Sequence, residues 1–284
     1  MALKNIGGNI NLNTKMLKEI ATNIRIDIIE MLSVVKSGHP GGSLSIADIL
    51  TVLYFEEMNI KVEEPRWEDR DRLVLSKGHA APALYAALAE RGYFPKEELK
   101  SLRRFKSILQ GHPDMKKTPG VDMSTGSLGQ GLSAANGIAL AGKLDNKSYR
   151  VYTIIGDGEL QEGQIWEAAM STAHYKLDNV VAFVDLNGLQ IDGSNEEVMR
   201  VSPVDKKFEA FGWNVLIING HNLEEIKDAL TKAKEVKGRP TAIIAKTVKG
   251  KGVSFMENQA SWHGTAPNEE QKVKALSELK GGEE

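Results

Sequence analysis

The chain has 284 residues, enough to bury a sizeable core in one domain, and its charges nearly cancel to −2. That balance excludes an electrostatic nucleic-acid binder, whose face is strongly basic, and the absence of cysteine excludes disulfides and thiolate metal sites. No apolar run reaches the ~18 residues of a membrane span and Met1 to Asn13 has no signal-peptide core, so a soluble, cytoplasmic protein is expected.

Residues 1–13 read as a loose arm rich in Asn and Gly, residues 14–265 as one domain, and residues 266–284 as a C-terminal helix and tail. From Lys15 to Val35, Leu17, Ile20, Ile24, Ile28, Met31 and Val35 fall at the three-and-four spacing of an amphipathic helix. It stops at Ser37-Gly38-His39-Pro40-Gly41-Gly42, where Gly38 can cap and Pro40 forbids continuation. Ser45 to Glu57 reads as a second helix, with Ser45 and Asp48 close to a capping box. Arg72 to Ser76 is a short strand that turns at Lys77-Gly78-His79 into a small-residue helix. Lys96 to Phe105 reads as another helix, followed by the turn Gln110-Gly111-His112-Pro113-Asp114. Gly120 to Leu144 combines Gly126, Gly129, Gly131 and Gly137 with many alanines and serines, so backbone there can approach a neighbouring helix or a flat ring closely. On residues alone, His39, His79 and His112 read as polar turn, packing or surface-loop residues sooner than as ligands.

The most informative stretch follows. Val151 to Ile155 is an apolar run ending at Gly156-Asp157-Gly158, Gln164 to Tyr175 is helical, and Val180 to Val184 is a second strand ending at Asp185-Leu186-Asn187-Gly188. This is a βαβ unit with two polar turns at the carboxyl ends of parallel strands, where open α/β sheets bind ligands. Asp157 offers a carboxylate, Asn187 an amide oxygen and Leu189 a backbone carbonyl, the hard oxygens that Mg²⁺ takes together with phosphates and water. A lone Gly-Asp-Gly is more often a tight turn, so a metal-bridged diphosphate and a plain turn both stay open here. Val204 to Phe211, Trp213 to Ile218, Asn222 to Val236, Pro240 to Val248 and Asn268 to Leu279 continue the alternation of helix and strand. The fold class is therefore α/β, a parallel sheet with helices on both faces. The long loop from Lys249 to Trp262-His263-Gly264 is of the kind that carries function. His174 and His221 read as structural.

Taken together, the motifs resemble the transketolase family. Gly156-Asp157-Gly158, 28 intervening residues and Asn187 resemble the thiamine-diphosphate motif. Ser37-Gly38-His39-Pro40-Gly41, Lys77-Gly78-His79, Gly111-His112-Pro113, Thr125-Gly126-Ser127-Leu128-Gly129-Gln130-Gly131 and Trp262-His263-Gly264 stand in transketolase order, and the likeness spans about residues 14 to 265. The resemblance implies a thiamine-diphosphate-binding fold and ketol transfer between sugar phosphates. It implies Mg²⁺, with Ca²⁺ or Mn²⁺ as substitutes, on Asp157, Asn187 and the Leu189 carbonyl. It further implies cofactor contacts at His79, Gly126, Ser127, Leu128, Gly156, Asp157, Gly158, Glu162, Asn187 and Ile191, and substrate contacts at His39, His263 and His112. In the family a glutamate on a second, pyrimidine-binding domain completes the chemistry. No residue here fills that role, so a C-terminal partner subunit in an α₂β₂ assembly is expected, with no nucleic acid and no membrane. The alternatives are a subunit of another thiamine enzyme, of the 2-oxo-acid dehydrogenase or deoxyxylulose-phosphate synthase type, and a non-catalytic cofactor binder. Three departures stand out: Gly188 follows Asn187, Ser127 replaces a proline common in relatives, and Val248 to Asn258 does not align cleanly, so it is assigned no ring contact.

Overall fold

The computed structural model describes residues 12–281. The arm expected over 1–13 lies outside the described residues except for its last two, and the end of the tail at 282–284 lies outside them as well. Leu12 is buried, and the Asn13 side chain caps α1 (Thr14–Val35) by accepting the Met16 N–H at 2.9 Å.

Among the described residues, five strands form one sheet. They are β1 (Arg72–Leu75), β2 (Val151–Gly156), β3 (Val180–Leu186), β4 (Asn214–Asn219) and β5 (Thr241–Lys246), in the order β1-β2-β3-β5-β4 and all parallel. Leu75, Ile154, Phe183, Ile243 and Leu216 lie in register across the whole sheet. Side chains alternate across the strands. Tyr152, Ile154, Val181, Phe183 and Ile243 join a core with α1, α3 (Ala47–Val52), α4 (Ala81–Arg91) and α9 (Leu223–Glu235). Val151, Ile155, Val180, Ala182 and Ile244 join the opposite core with α5 (Gln130–Leu144), α6 (Gly163–His174) and α8 (Val204–Ala210). Both faces are covered, as near-continuous apolar strands require. The carboxyl ends of β1, β2, β3 and β5 therefore open on one rim, and their following loops meet there.

Three local expectations are corrected. The first helix stops as expected, at Val35, but Lys36 rather than Gly38 takes the left-handed cap, and Pro40 then begins the short α2 (Pro40–Leu44), because a first-turn position needs no N–H and suits the fixed φ of proline. Ser45 and Asp48 form no capping box: Ser45 Oγ donates to Gly42 O and to Asp185, while Asp48 pairs with Arg25. Lys96 to Phe105 is only a 3₁₀ segment at Lys96–Ser101, after which Arg103 and Lys106 turn back with positive φ and leave Phe105 92 % exposed.

α1 also carries a buried acid. Asp27 is 6 % exposed, with Lys96 Nζ at 3.0 Å and Glu90 sharing the same ammonium. Burial pushes its carboxyl up to about 7, Lys96 pulling the other way and Glu90 adding to the rise. A raised carboxyl favours folding fully below its unfolded value near 4 and loses that contribution as pH rises through about 7. Asp27→Asn is thus expected to match the wild type below pH 4 and to exceed it by on the order of a few kcal/mol at pH 8. Parallel melting curves across that range would show that Asp27 does not titrate there.

Candidate functional site

Three imidazoles converge on the rim. His39 sits at the N-terminus of α2, His79 in the 3₁₀ turn after β1, and His263 just after the turn at Ala260–Trp262. Ring centroids are 5.3 Å apart for His39 and His79, 5.5 Å for His39 and His263, and 5.1 Å for His79 and His263. Burial lowers all three, His39 to about 4, His263 to about 3 and His79 well below the ordinary value, and the nearby Lys249 ammonium adds to each. At neutral pH the cluster is therefore uncharged; His39 and His79 each offer one N–H and one lone pair, whereas the Nδ1 lone pair of His263 faces the Lys249 ammonium and its Nε2 carries the N–H. Nδ1 of His39 is buried without a partner, as expected of an atom that awaits a ligand. His112 lies at the edge of the cluster. It is exposed as a residue, its ring lies 3.1 Å from where a Gly126 Cβ would stand, and partial desolvation of the ring followed by the Arg103 guanidinium lowers it, Arg103 acting on His39 as well.

Gly126, Ser127 and Leu128 form the loop before α5. Gly126 has φ +149, and any Cβ on Gly78 would strike its N at 2.7 Å, so the two turns touch through bare backbone. Thr125 Oγ1 donates to Leu75 O at 2.7 Å and fastens this loop to the end of β1.

The two polar turns of β2 and β3 also meet. Asp157 is 2 % exposed, and its carboxylate accepts the Gly158 N–H at 2.8 Å and the Gly188 N–H at 2.6 Å. Burial and the neighbouring Asp185 carboxylate raise Asp157 to about 6. Two buried carboxylates this close call for a cation. The Asn187 side chain donates Nδ2 to Asp185 at 3.1 Å, which leaves Oδ1 as the outward acceptor, met so far only by the Leu189 N–H at 3.1 Å. The Leu189 carbonyl keeps a lone pair beyond its 3.2 Å bond from Lys249 Nζ. Among the described residues no three His, Cys, Asp or Glu side chains come together as metal ligands. A cation here would rest on one carboxylate, one amide oxygen and one carbonyl, and that set fits Mg²⁺ completed by phosphate and water.

Four residues of the rim are not apparent from the sequence. Asp185 is fully buried and receives Lys77 Nζ at 2.5 Å, Ser45 Oγ at 2.8 Å, the Asn187 amide and the Thr247 hydroxyl. An acid inside an apolar strand run is a signal that a buried cation must lie opposite, and Lys77 is that cation. Lys249, only 2 % exposed, places Nζ 3.1 Å from His263 Nδ1, and burial and Lys77 lower it to about 8. Glu159 accepts from Ser76 Oγ, Gly129 N and Gly156 N at 2.6, 2.9 and 3.0 Å. Its pattern in sequence is that of any first-turn glutamate, so nothing there reveals it. Glu162 and Ile191 face outward, Ile191 64 % exposed, and Glu162 lies against Gly129, whose Cβ would meet it at 2.8 Å. A separate surface groove of about 830 Å³ between residues 64–70 and 115–122 contains none of these side chains.

A buried Asp157 beside a half-buried Asn187, with two buried lysines at the carboxyl rim of a parallel sheet, defines an α/β domain built to hold a cation and a phosphate group. The family model described as transketolase, thiamine diphosphate binding domain, matches residues 16–283, and the chain belongs to that family. It is 50 % identical over 263 residues to the 6-deoxy-6-sulfo-D-fructose transketolase subunit SqwG of a Clostridium species, covering 93 % of this chain and 96 % of that one. It is 44 % identical over 252 residues to one of the subunits of the apulose-4-phosphate transketolase of Phocaeicola vulgatus, covering 89 % of each. The transketolase structure from Campylobacter jejuni superposes with a TM-score of 0.89 at 37 % identity, over 95 % of this chain but 43 % of that one. The chain thus spans most of the length of the two subunit relatives and less than half of the Campylobacter transketolase.

Proposed function

We propose that this chain, joined to a C-terminal partner subunit, transfers a two-carbon ketol unit from a ketose phosphate to an aldose phosphate. The observation that carries the reading is the neutral three-histidine cluster placed beside the Asp157–Asn187 pair. Asp157, Asn187 and the Leu189 carbonyl would hold Mg²⁺, with Lys77 and Lys249 supplying positive charge toward the diphosphate. Thiamine diphosphate, when bound, supplies a carbon nucleophile and an electron sink for the ketol carbons. Around it, Gly126 to Leu128 and Gly78 offer backbone without side chains, so a flat ring can approach. His39, uncharged, can donate to and accept from the donor carbonyl and hydroxyls, and His263, its Nδ1 engaged by Lys249, donates through Nε2, so protons move with no net charge left in the pocket. His112 binds a hydroxyl farther out. Pyruvate-type donors need few such ligands, which favours ketol transfer over a 2-oxo-acid reaction, and a non-catalytic binder has no use for the full histidine set.

The assembly is read as an α₂β₂ heterotetramer in the cytoplasm, working in pentose phosphate chemistry. Alone, the chain is expected to bind little cofactor and to transfer no ketol unit. With the partner subunit, a panel of ketose phosphates should reveal one that gives a donor-dependent burst, and full activity from this chain by itself would overturn the reading. Glu162 is assigned to contact its counterpart across the two-fold axis. Glu162→Gln should weaken association or the coupling of the two sites, whereas unchanged association and rate would leave it as a first-turn glutamate worth about 0.3–1 kcal/mol to its helix.

A further inference from the structure

His221 reads from sequence as a turn residue between β4 and α9, yet the fold gives its imidazole two directed bonds. Nδ1 lies 2.7 Å from Oδ2 of Asp48, and Nε2 accepts the Val248 N–H at 2.8 Å. A ring nitrogen that accepts carries no proton, so the proton sits on Nδ1 and points at the carboxylate. Asp48 is in turn gripped by both terminal nitrogens of Arg25, at 3.2 and 2.5 Å. That cation and the His221 bond hold Asp48 down at about 2 against the effect of burial, so it remains an acceptor.

Val248 is the residue before Lys249, and Lys249 is the side chain that reaches the Leu189 carbonyl and His263 Nδ1. The same loop is also held by backbone bonds, Gly250 N–H to Gly41 O and Asn258 N–H to Lys249 O, each at 3.0 Å, and farther along by the Glu257 and Glu278 carboxylates, which accept the Gly252 and Ser254 N–H groups. Gly252 also rests on Arg25, whose Cδ lies 3.3 Å from where a Cβ would stand. Both ends of the Val248–Gly252 turn therefore lean on one buried side-chain chain that starts on α1.

We infer that Arg25, Asp48 and His221 form a positioning relay that sets the Lys249 ammonium, and through it His263, at the cofactor site. An acid-oriented imidazole acts here on a backbone N–H instead of a substrate proton. His221 touches no reacting group, so it is a positioning residue, and the inference rests on the reading of the site proposed above.

The first test needs no substitution. In the chain labelled with ¹⁵N-histidine, His221 should show a neutral ring with a protonated Nδ1 and a bare Nε2, and an Nε2–H ring at pH 7 overturns the relay. The second compares His221→Ala with His221→Gln, whose amide can both donate to Asp48 and accept from Val248. His221→Ala should speed amide exchange at Val248 to Asn258 while β2 and β3 stay protected, and His221→Gln should restore the slow exchange. Unchanged exchange in His221→Ala overturns the relay. In the complex with the partner subunit, the KM for thiamine diphosphate should rise about tenfold or more in His221→Ala and much less in His221→Gln. If the tautomer and exchange results hold while the wild-type complex transfers no ketol unit, the relay stands and the proposed function falls.

Discussion

Asp157→Ala is expected to abolish Mg²⁺-dependent binding of thiamine diphosphate by the assembled complex. Asp157 carries the only formal charge among the three proposed protein ligands, and its carboxylate also accepts the Gly158 and Gly188 N–H groups that shape the two turns. Its removal takes away the metal's anchor and leaves two backbone donors without their acceptor. Because burial and Asp185 raise Asp157 to about 6, a metal must displace a proton below that pH. Affinity for Mg²⁺ and cofactor should therefore fall about tenfold for each pH unit below 6 and level off above it. Calorimetry with and without Mg²⁺, at pH 5 to 8, measures both. Affinity that is unchanged by the substitution would remove the site.

His39→Ala and His263→Ala should act on turnover rather than on cofactor affinity. Both rings are neutral at working pH, and they lie 5.5 Å from each other, so together they present a set of proton donors and acceptors to one small volume. General acid–base work of this kind is typically worth 10²–10⁴-fold in rate. The expected loss in kcat falls in that range, with the cofactor KM changed far less. A KM that rises in step with the loss of rate would show that the histidines hold the fold of the rim instead. His112, exposed and at the periphery, should cost less and should raise the sugar KM more than it lowers kcat.

Much of this architecture is legible in the sequence, because the strands are continuous apolar runs and the helices obey a three-and-four spacing. The Val151–Ile155 and Val180–Val184 runs land on β2 and β3, and the turns after them meet as the βαβ reading requires. The placement of the histidines comes from resemblance alone: nothing in the local pattern of Ser37 to Gly41 or Trp262 to Gly264 brings residues 224 positions apart into ring contact. What stays hidden are contacts made across the fold. Asp48 reads as a capping residue because its partners, Arg25 and His221, lie 23 and 173 residues away. Lys77 and Asp185, 108 residues apart, are likewise invisible as a pair until the sheet brings β1 and β3 to the same rim. The Lys96–Phe105 helix fails for a local reason: two residues with positive φ, Arg103 and Lys106, are ordinary helix formers by propensity, and the tertiary turn overrides them.

Glu159 ties Ser76, Gly129 and Gly156 with one buried carboxylate, and burial raises it while those three donors pull it back. The ends of β1 and β2 and the start of α5 thus share one carboxylate, beside the Thr125 bond that ties the loop before α5 to β1. A cradle built this way has little capacity for gradual divergence. Substituting any one of the three anchoring segments leaves the others pulling on the same two oxygens, so neutral drift in one loop is filtered by the geometry of the other two. The same economy bears on grafting: moving Gly156-Asp157-Gly158 into another sheet would carry over the Asp157 carboxylate but not the clasp that keeps the loops around it in step.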